Sequence, residues 1–169
     1  MNITDLTGIE YFINLTSLYC PNNQIATLNT SQNISLTWLS CYDNQLTSLN
    51  LNGAIALEGL YAWNNQLANL DVSQNTSLIS LVCNNNQLTS LNLSQISCAL
   101  QINESDFSEN PNLNCIEVTD LSCWQNNFIE FLDTTYQYYS TNCSGISSIQ
   151  ENTTNKELLK VTDLLGRET

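Results

Sequence analysis

The sequence of 169 residues contains no histidine and only three basic residues, Lys156, Lys160 and Arg167. Residues 1–155 therefore carry no positively charged side chain, and the formal net charge is −13. Proteins that bind nucleic acid use Lys and Arg to replace phosphate counterions, so this composition excludes a nucleic-acid partner. The absence of His also removes His-based nucleophilic catalysis and the commonest metal ligand.

The chain also lacks long apolar runs and known catalytic motifs. No stretch of 18 apolar residues occurs, so we expect no membrane span. The sequence has no nucleophile elbow, phosphate loop, zinc motif or calcium loop, and the acidic residues of its C-terminal third are irregularly spaced. We therefore expect a protein that is not an enzyme and that uses neither a metal nor another cofactor. A pair of carboxylates of the glycosidase kind is the alternative, but nothing places two acids across a cleft.

Leucine and asparagine are abundant, with 26 residues of each, and they recur with a period of 21. Four units follow one another without a gap, over residues 15–35, 36–56, 57–77 and 78–98. Each unit follows the pattern L-x-x-L-x-C-x-x-N-Q-L-x-x-L-x-L-x-x-N with few departures. A single unit of this length cannot bury its own leucines, whereas stacked units bury them as a continuous core between parallel strands about 4.8 Å apart. The period predicts a solenoid.

One asparagine keeps its place in all four units, at Asn23, Asn44, Asn65 and Asn86. Buried polar groups must be hydrogen-bonded, so we expect these side chains to turn inward and bind backbone groups left unpaired at the turn. A polar loop is the alternative for a single Asn-Asn-Gln, but four copies in register disfavour it.

These motifs resemble the leucine-rich repeat family, and are most similar to its short bacterial class with two nested half-repeats. The second half-repeat is visible as Leu49-Asn50-Leu51, Leu70-Asp71-Val72 and Leu91-Asn92-Leu93. The opening, Ile3 to Leu18, resembles internalin-type repeats but does not fit the 21-residue frame. The resemblance covers roughly residues 3–118. It implies a right-handed leucine-rich repeat solenoid, an α/β-type repeat fold of mostly short parallel β-strands and turns with a C-terminal cap.

The frame decays after residue 98, and Leu100, Ile102 and Phe107 are the candidate core residues of a degenerate coil. Residues 110–118 resemble the exit segment of secreted leucine-rich proteins from Bacteroidetes-type bacteria. The aromatic-rich segment that follows is interpreted as a cap over the open solenoid end. The predicted division is a partial N-terminal repeat (1–14), four coils (15–98), a degenerate last coil (99–118), a cap (119–144), a linker (145–155) and the truncated start of a sorting domain (156–169).

The tail, residues 156–169, resembles the opening of a type IX secretion C-terminal sorting domain. This resemblance implies a Bacteroidetes or Flavobacteria-like source, export through the type IX machinery as a partner of the tail, and a location outside a Gram-negative cell or on its outer-membrane surface. An unrelated charged hairpin or amphipathic turn is the alternative. Residues 1–5 lack the features of a signal peptide, so we expect a piece of a longer protein, cut at both ends.

The seven cysteines form two groups. Cys20, Cys41 and Cys83 share one repeat position, which the family resemblance places in the core as reduced thiols, with Ala62 in the third unit. The other four lie outside the repeat and allow three pairings: Cys98, Cys115, Cys123 and Cys143. We favour a Cys115–Cys143 disulfide between the last half-repeat and the end of the cap. A Cys98–Cys123 bridge has weaker support, and four free thiols are the alternative.

The candidate ligand site lies on the outer face of the strands. Residues that flank the strand leucines point outward, because side chains alternate along a strand. Five aromatic residues then gather on one face: Tyr19, Trp38, Tyr42, Tyr61 and Trp63. Because Tyr and Trp are enriched in binding hot spots, we predict that this face binds an extracellular protein or polysaccharide. Stabilisation of the sheet by the same rings is the alternative.

A further polar column, Asn29, Asn50, Asp71 and Asn92, is interpreted as solvated surface, with a side-chain ladder as the alternative. The predicted function is that of a secreted or cell-surface binding module. A structural spacer and an accessory module of a larger secreted hydrolase are the alternatives.

Overall fold

The computed structural model describes residues 2–97, 104–128 and 138–143. Within these ranges the chain forms a parallel β-solenoid of about five turns with almost no helix, which confirms the predicted repeat architecture. The elements are a 3₁₀ turn (Ile9–Tyr11), β1 (Ser17–Tyr19), β2 (Thr27–Asn29), β3 (Trp38–Ser40), β4 (Ser48–Asn50), β5 (Gly59–Tyr61), β6 (Ser80–Val82), β7 (Leu91–Asn92), β8 (Cys115–Glu117), α1 (Leu121–Phe128) and β9 (Tyr138–Ser140). The predicted linker (145–155) and sorting tail (156–169) lie outside the described residues.

Every strand pairing among the described residues is parallel, and over the first four coils the partners lie 21 residues apart, as the repeat period requires. In the four-stranded sheet, ordered β1-β3-β5-β6, Leu39 pairs with Leu18 on one side and Leu60 on the other. The second halves of the first two coils form the sheet β2-β4, and that of the fourth coil forms β7 of the sheet β7-β8-β9, whereas the third coil has no strand there. A shift of one residue would turn the leucines to solvent, so their burial fixes this register.

The core is a column of leucines between the two strand faces. Leu39, Leu60 and Leu81 are fully buried, as are Leu46, Leu67 and Leu88 in the second half of each coil. Burying one such side chain contributes roughly 1.5–3 kcal/mol, so the stacked coils share a stabilisation that no single coil provides.

The fifth coil is longer than the other four. Asp106 bridges to Val82, a separation of 24 residues, whereas Val82 pairs with Tyr61 at 21. Phe107 is fully buried, as predicted, and follows Asp106 as Cys83 follows Val82. The predicted core residues Leu100 and Ile102 lie outside the described residues.

Helix α1 packs against the last strand at the C-terminal end of the solenoid. Asp120 precedes the helix, and its Oδ1 accepts the N–H of Ser122 at 3.0 Å, so it acts as the N-cap. The hydrogen bonds from Ser122 and Cys123 hold the pKa of Asp120 below its usual value. The buried Trp124 lies 5.8 Å from the buried ring of Tyr139, between centroids.

A disulfide joins Cys115 to Cys143, with Cα atoms 5.8 Å apart, and confirms the predicted pairing of these two cysteines. Cys123 is also in a disulfide, while its predicted partner Cys98 lies outside the described residues.

Across the part of the chain that the structure describes, no helix has the length and apolar character to cross a bilayer.

Candidate functional site

The outer face of the four-stranded sheet is an uncharged surface of twelve positions in three columns. The strand leucines point into the core, so the residues on either side of them face outward. The columns are Ser17, Trp38, Gly59 and Ser80; Tyr19, Ser40, Tyr61 and Val82; and Pro21, Tyr42, Trp63 and Asn84. Three tyrosines, two tryptophans and three serines make up eight of the twelve.

The structure brings the five aromatic residues of the predicted site into two contact chains. Tyr42 and Trp63 stack face to face, with ring centroids 4.5 Å apart and planes 8° from parallel. Tyr19 meets Tyr42 edge-on at 6.3 Å, and the two hydroxyl oxygens are 2.9 Å apart. In the second chain, Trp38 stacks on Tyr61 at 6.1 Å and 17°. Their role in binding stays a prediction.

The stacking direction decides what these rings present to a ligand. The 4.5 Å between Tyr42 and Trp63 is close to the spacing of neighbouring strands, so the rings stack along the solenoid axis. The faces that they turn toward each other are therefore closed to a ligand. Ring edges, hydroxyl groups and the faces turned away from these contacts remain, with Tyr19 70% and Trp38 36% exposed. The hydrogen bond with Tyr19 raises the pKa of the Tyr42 phenol above its usual value.

Gly59 is a part of this surface that the sequence reasoning did not single out. A Cβ atom at position 59 would lie 2.1 Å from Cε3 of Trp38, so the indole lies over the glycine. The glycine stands opposite Trp38 in the register of β3 and β5. The sequence signal for this contact was a glycine one repeat after a tryptophan. On the next strand Ser80 is fully buried: its Oγ donates to the carbonyl of Glu104 at 2.7 Å and lies 3.2 Å from Oη of Tyr61.

The repeated asparagines hold the backbone beneath the aromatic column. Oδ1 of Asn65 accepts the N–H of Leu46 at 2.9 Å, from the preceding coil. Its Nδ2 donates to the carbonyls of Cys41 and Ala62, each at 3.1 Å, and of Trp63 at 3.2 Å. Corresponding bonds are made by Asn23, Asn44 and Asn86. One side chain thus ties two coils together and fixes the main chain at Trp63.

Asn110 is a fifth member of this column, and the sequence reasoning assigned it only to the exit segment. Its Oδ1 accepts the N–H of Leu88 at 3.0 Å, and its Nδ2 donates to the carbonyl of Cys83 at 3.1 Å. The signal was its position three residues after Phe107, as Asn86 stands three residues after Cys83. The longer fifth coil hid it.

A left-handed residue precedes each of these asparagines. Asn22, Asp43, Asn64, Asn85 and Glu109 have φ between 51° and 56°. Asn and Asp tolerate this conformation better than other non-glycine residues, which explains the polar column beside Tyr42 and Trp63. Nδ2 of Asn64 donates to Asp43, and Nδ2 of Asn85 donates to Oδ1 of Asn64 at 2.9 Å, so the exposed column is itself linked.

The polar column on the second strand face makes turns within each coil. Its four side chains each accept the N–H of the residue two positions ahead, at 2.8–3.2 Å, and they are Asn29, Asn50, Asp71 and Asn92. In the third coil, the hydrogen bonds that Ser73 donates to Asp71 lower the pKa of that carboxyl. The interpretation of this column as plain solvated surface, or as a ladder between coils, was therefore incomplete, because local turn geometry determines these residues.

The three cysteines of the repeat are free and buried. Burial raises the pKa of the Cys20 thiol to about 11, and raises those of Cys41 and Cys83 further. They line one side of the core beneath the aromatic face. In the described ranges, no group of three or more Cys, Asp or Glu side chains is arranged to hold a metal ion.

No protein-family model matches the chain, and no curated protein matches it. Among solved structures, it is similar to the functional domain of InlJ from Listeria monocytogenes, which includes a cysteine ladder. The two are 27% identical with a TM-score of 0.58 over 72% of this chain, and the match spans 30% of the InlJ chain. This likeness supports a leucine-rich repeat-like fold.

Proposed function

We propose that the outer face of the four-stranded sheet is the recognition surface of an extracellular binding module, and that it binds a folded protein. The observation that carries this proposal is the composition of the face: twelve uncharged positions, all but Gly59 and Ser80 at least partly exposed, and dominated by Tyr, Trp and Ser. Antibody paratopes use the same residues, because Tyr and Trp supply large contact areas at low entropic cost and Ser supplies adaptable hydrogen bonds. The likeness to InlJ supports a repeat module of this kind.

Rigidity favours binding by such a surface. The rings contact one another, and Asn44 and Asn65 hold the carbonyls of Tyr42 and Trp63. Little side-chain freedom is therefore left to lose on association, and less ordering entropy opposes binding.

A protein fits this surface better than a polysaccharide. A sugar ring stacks on an open aromatic face, and Tyr42 and Trp63 cover one face of each other. The exposed Tyr19 and Trp38 offer a hydroxyl and an indole N–H beside apolar edges, which suits the mixed polar and apolar groups of a protein epitope.

Export is the second part of the proposal. The Cys115–Cys143 disulfide and the likeness to an internalin are consistent with an extracellular protein. The finer assignment is type IX export from a Bacteroidetes-like cell, and it rests on the resemblance of residues 156–169 to a sorting domain. The division of the chain into repeats, cap, linker and tail is part of the same proposal. Secretion of the chain, with and without these residues, from hosts with an intact and a disrupted type IX system would test it. Secretion that depends on neither would contradict it.

The binding proposal is tested with the whole chain against a panel of extracellular proteins and polysaccharides, measured by surface plasmon resonance. The test variant is Trp38→Ala with Trp63→Ala. The matched control is Tyr11→Ala with Phe12→Ala, which removes two aromatic residues that are 82% and 63% exposed away from the sheet.

We expect a protein ligand whose binding the test variant loses and the control retains. Binding that survives in the test variant, or no binding at all, would contradict the proposal and favour the spacer. Binding to a polysaccharide alone would replace the protein ligand and favour an accessory module of a hydrolase.

A further inference from the structure

Two of the three columns of the aromatic face continue into the fifth coil as carboxylates, and the third continues as Ser108. Asp106 bridges to Val82 and so extends the column of Tyr19 and Tyr61. Glu104, two residues earlier, accepts the hydroxyl of Ser80 on its carbonyl and so extends the column of Trp38. Glu104 is exposed and Asp106 is partly exposed. The three columns themselves are therefore uncharged over four coils, and two of them become acidic on the fifth.

A third carboxylate borders this acidic end. Glu109 has φ of 54° and occupies the left-handed column that contains Asn64 and Asn85 in earlier coils. It is exposed, beside the column of Tyr42 and Trp63. The three carboxylates thus lie at one end of a single surface, together with the aromatic rings, whereas Asp43 is the one carboxylate of the left-handed column that lies away from this end, on the second coil.

No basic side chain of residues 1–155 is available to neutralise this end, because the sequence has none there. A charged end beside an uncharged centre steers association with a partner of opposite charge, while the centre supplies the contact area. The same charge repels nucleic acid and anionic membranes.

We infer that the face docks a protein surface on which Lys or Arg residues lie beside an apolar patch, with the cations over Glu104, Asp106 and Glu109. This inference rests on the proposed function and specifies its partner. The apolar patch would cover coils one to three. Because neighbouring coils are about 4.8 Å apart, the basic cluster would lie roughly 10 Å from the nearer edge of that patch.

The test uses a display library of one small folded domain with randomised surface positions, selected against the whole chain. Selected domains are first sorted by whether Trp38→Ala with Trp63→Ala abolishes their binding. Their Lys and Arg content is then compared with that of the unselected library.

Kinetics provide the second measurement. The test variant is Glu104→Gln, Asp106→Asn and Glu109→Gln. The control, Asp71→Asn, Glu117→Gln and Asp120→Asn, changes the net charge equally, while Asn at 71 and 120 keeps the oxygen that accepts the turn hydrogen bond. We expect domains that need the aromatic face to be rich in Lys and Arg. Their association rates at about 20 mM salt should fall about tenfold with the test variant and less than about threefold with the control.

The outcomes separate the two proposals. Domains that need the aromatic face but show no basic enrichment, or lose rate equally with both variants, would overturn the inference and leave the proposed function standing. Selected domains whose binding survives loss of Trp38 and Trp63 would overturn both.

Discussion

The indole of Trp38 occupies the space that a side chain on Gly59 would need. The two residues stand opposite each other in neighbouring parallel strands, and a Cβ on Gly59 would meet Cε3 of Trp38 at 2.1 Å. Trp38 can take this position because Gly59 has no side chain, and the ring of Tyr61 stacks with the indole. The orientation of the most prominent indole on the candidate surface depends on one glycine.

Gly59→Ala should displace the indole and destabilise the chain by roughly 1–3 kcal/mol, the usual cost of overpacking. In a Trp38→Ala background the clash is gone, and the same change should cost nothing or stabilise by up to about 1 kcal/mol, since Gly is unfavourable within a strand. Urea unfolding of the four proteins in this double-mutant cycle provides the measurement. An equal cost of Gly59→Ala in both backgrounds would show that the two residues are not coupled.

Asn65→Ala should destabilise the chain by about 1–3 kcal/mol. The change leaves the buried N–H of Leu46 without a partner, and an unpaired buried group costs about that much, whereas the carbonyls of Cys41 and Ala62 keep the amides of Asn44 and Asn86. Asn69→Ala, at an exposed position four residues later, should stay within about 0.5 kcal/mol of wild type. Denaturant unfolding compares them, and similar losses for both variants would argue against a structural role of the buried amide.

Glu109→Asn should stabilise the chain by about 1 kcal/mol. Glu109 is the one member of the left-handed column that is neither Asn nor Asp, and a non-glycine side chain in this conformation costs roughly 1–2 kcal/mol, less for Asn. The control is Glu58→Asn, which changes an exposed glutamate outside that column and should not stabilise. Thermal unfolding of the two variants should show a higher Tm for Glu109→Asn alone.

Stability should fall as pH rises from about 9 to 11, and Cys20 should contribute to the fall. The native thiol keeps its proton to a pKa of about 11, whereas the unfolded thiol releases it near 9.0, so alkaline pH favours the unfolded state. Cys20→Ala should flatten the slope of unfolding free energy against pH over this range, since Ala62 shows that the position accepts alanine. An unchanged slope would mean that the burial of Cys20 does not perturb its thiol.

Disulfide-exchange reagents should label none of the three repeat thiols in the native protein at pH 8.

The repeat period made most of the fold predictable from the sequence. Leucines 21 residues apart have one arrangement that buries them all, and that arrangement pairs Leu18, Leu39 and Leu60 in register. The Cys115–Cys143 bridge was predictable as a preference among pairings, not as a necessity.

Features that depend on one coil alone were not predictable in this way. The place of Asn110 in the asparagine column was hidden because three additional residues precede it and the period fails. The turn bonds of Asn29 and Asn92 were missed for another reason: the period shows that a polar residue recurs there, but not which backbone group its side chain binds. The site was predicted as a set of rings on one face, but their stacking direction, which limits the ligand, required side-chain positions.

The asparagine column has a direction, and that direction affects how the protein is made. The N–H of Ile25 is satisfied by Asn44 and that of Leu46 by Asn65, so each coil depends on an amide from the coil after it. During synthesis from the N-terminus, the newest coil holds a donor without its amide partner until the asparagine 19 to 22 residues later emerges. The last coil to emerge therefore stays incomplete until the next one is made. The amide of Asn110 accepts the last of these bonds, from the N–H of Leu88.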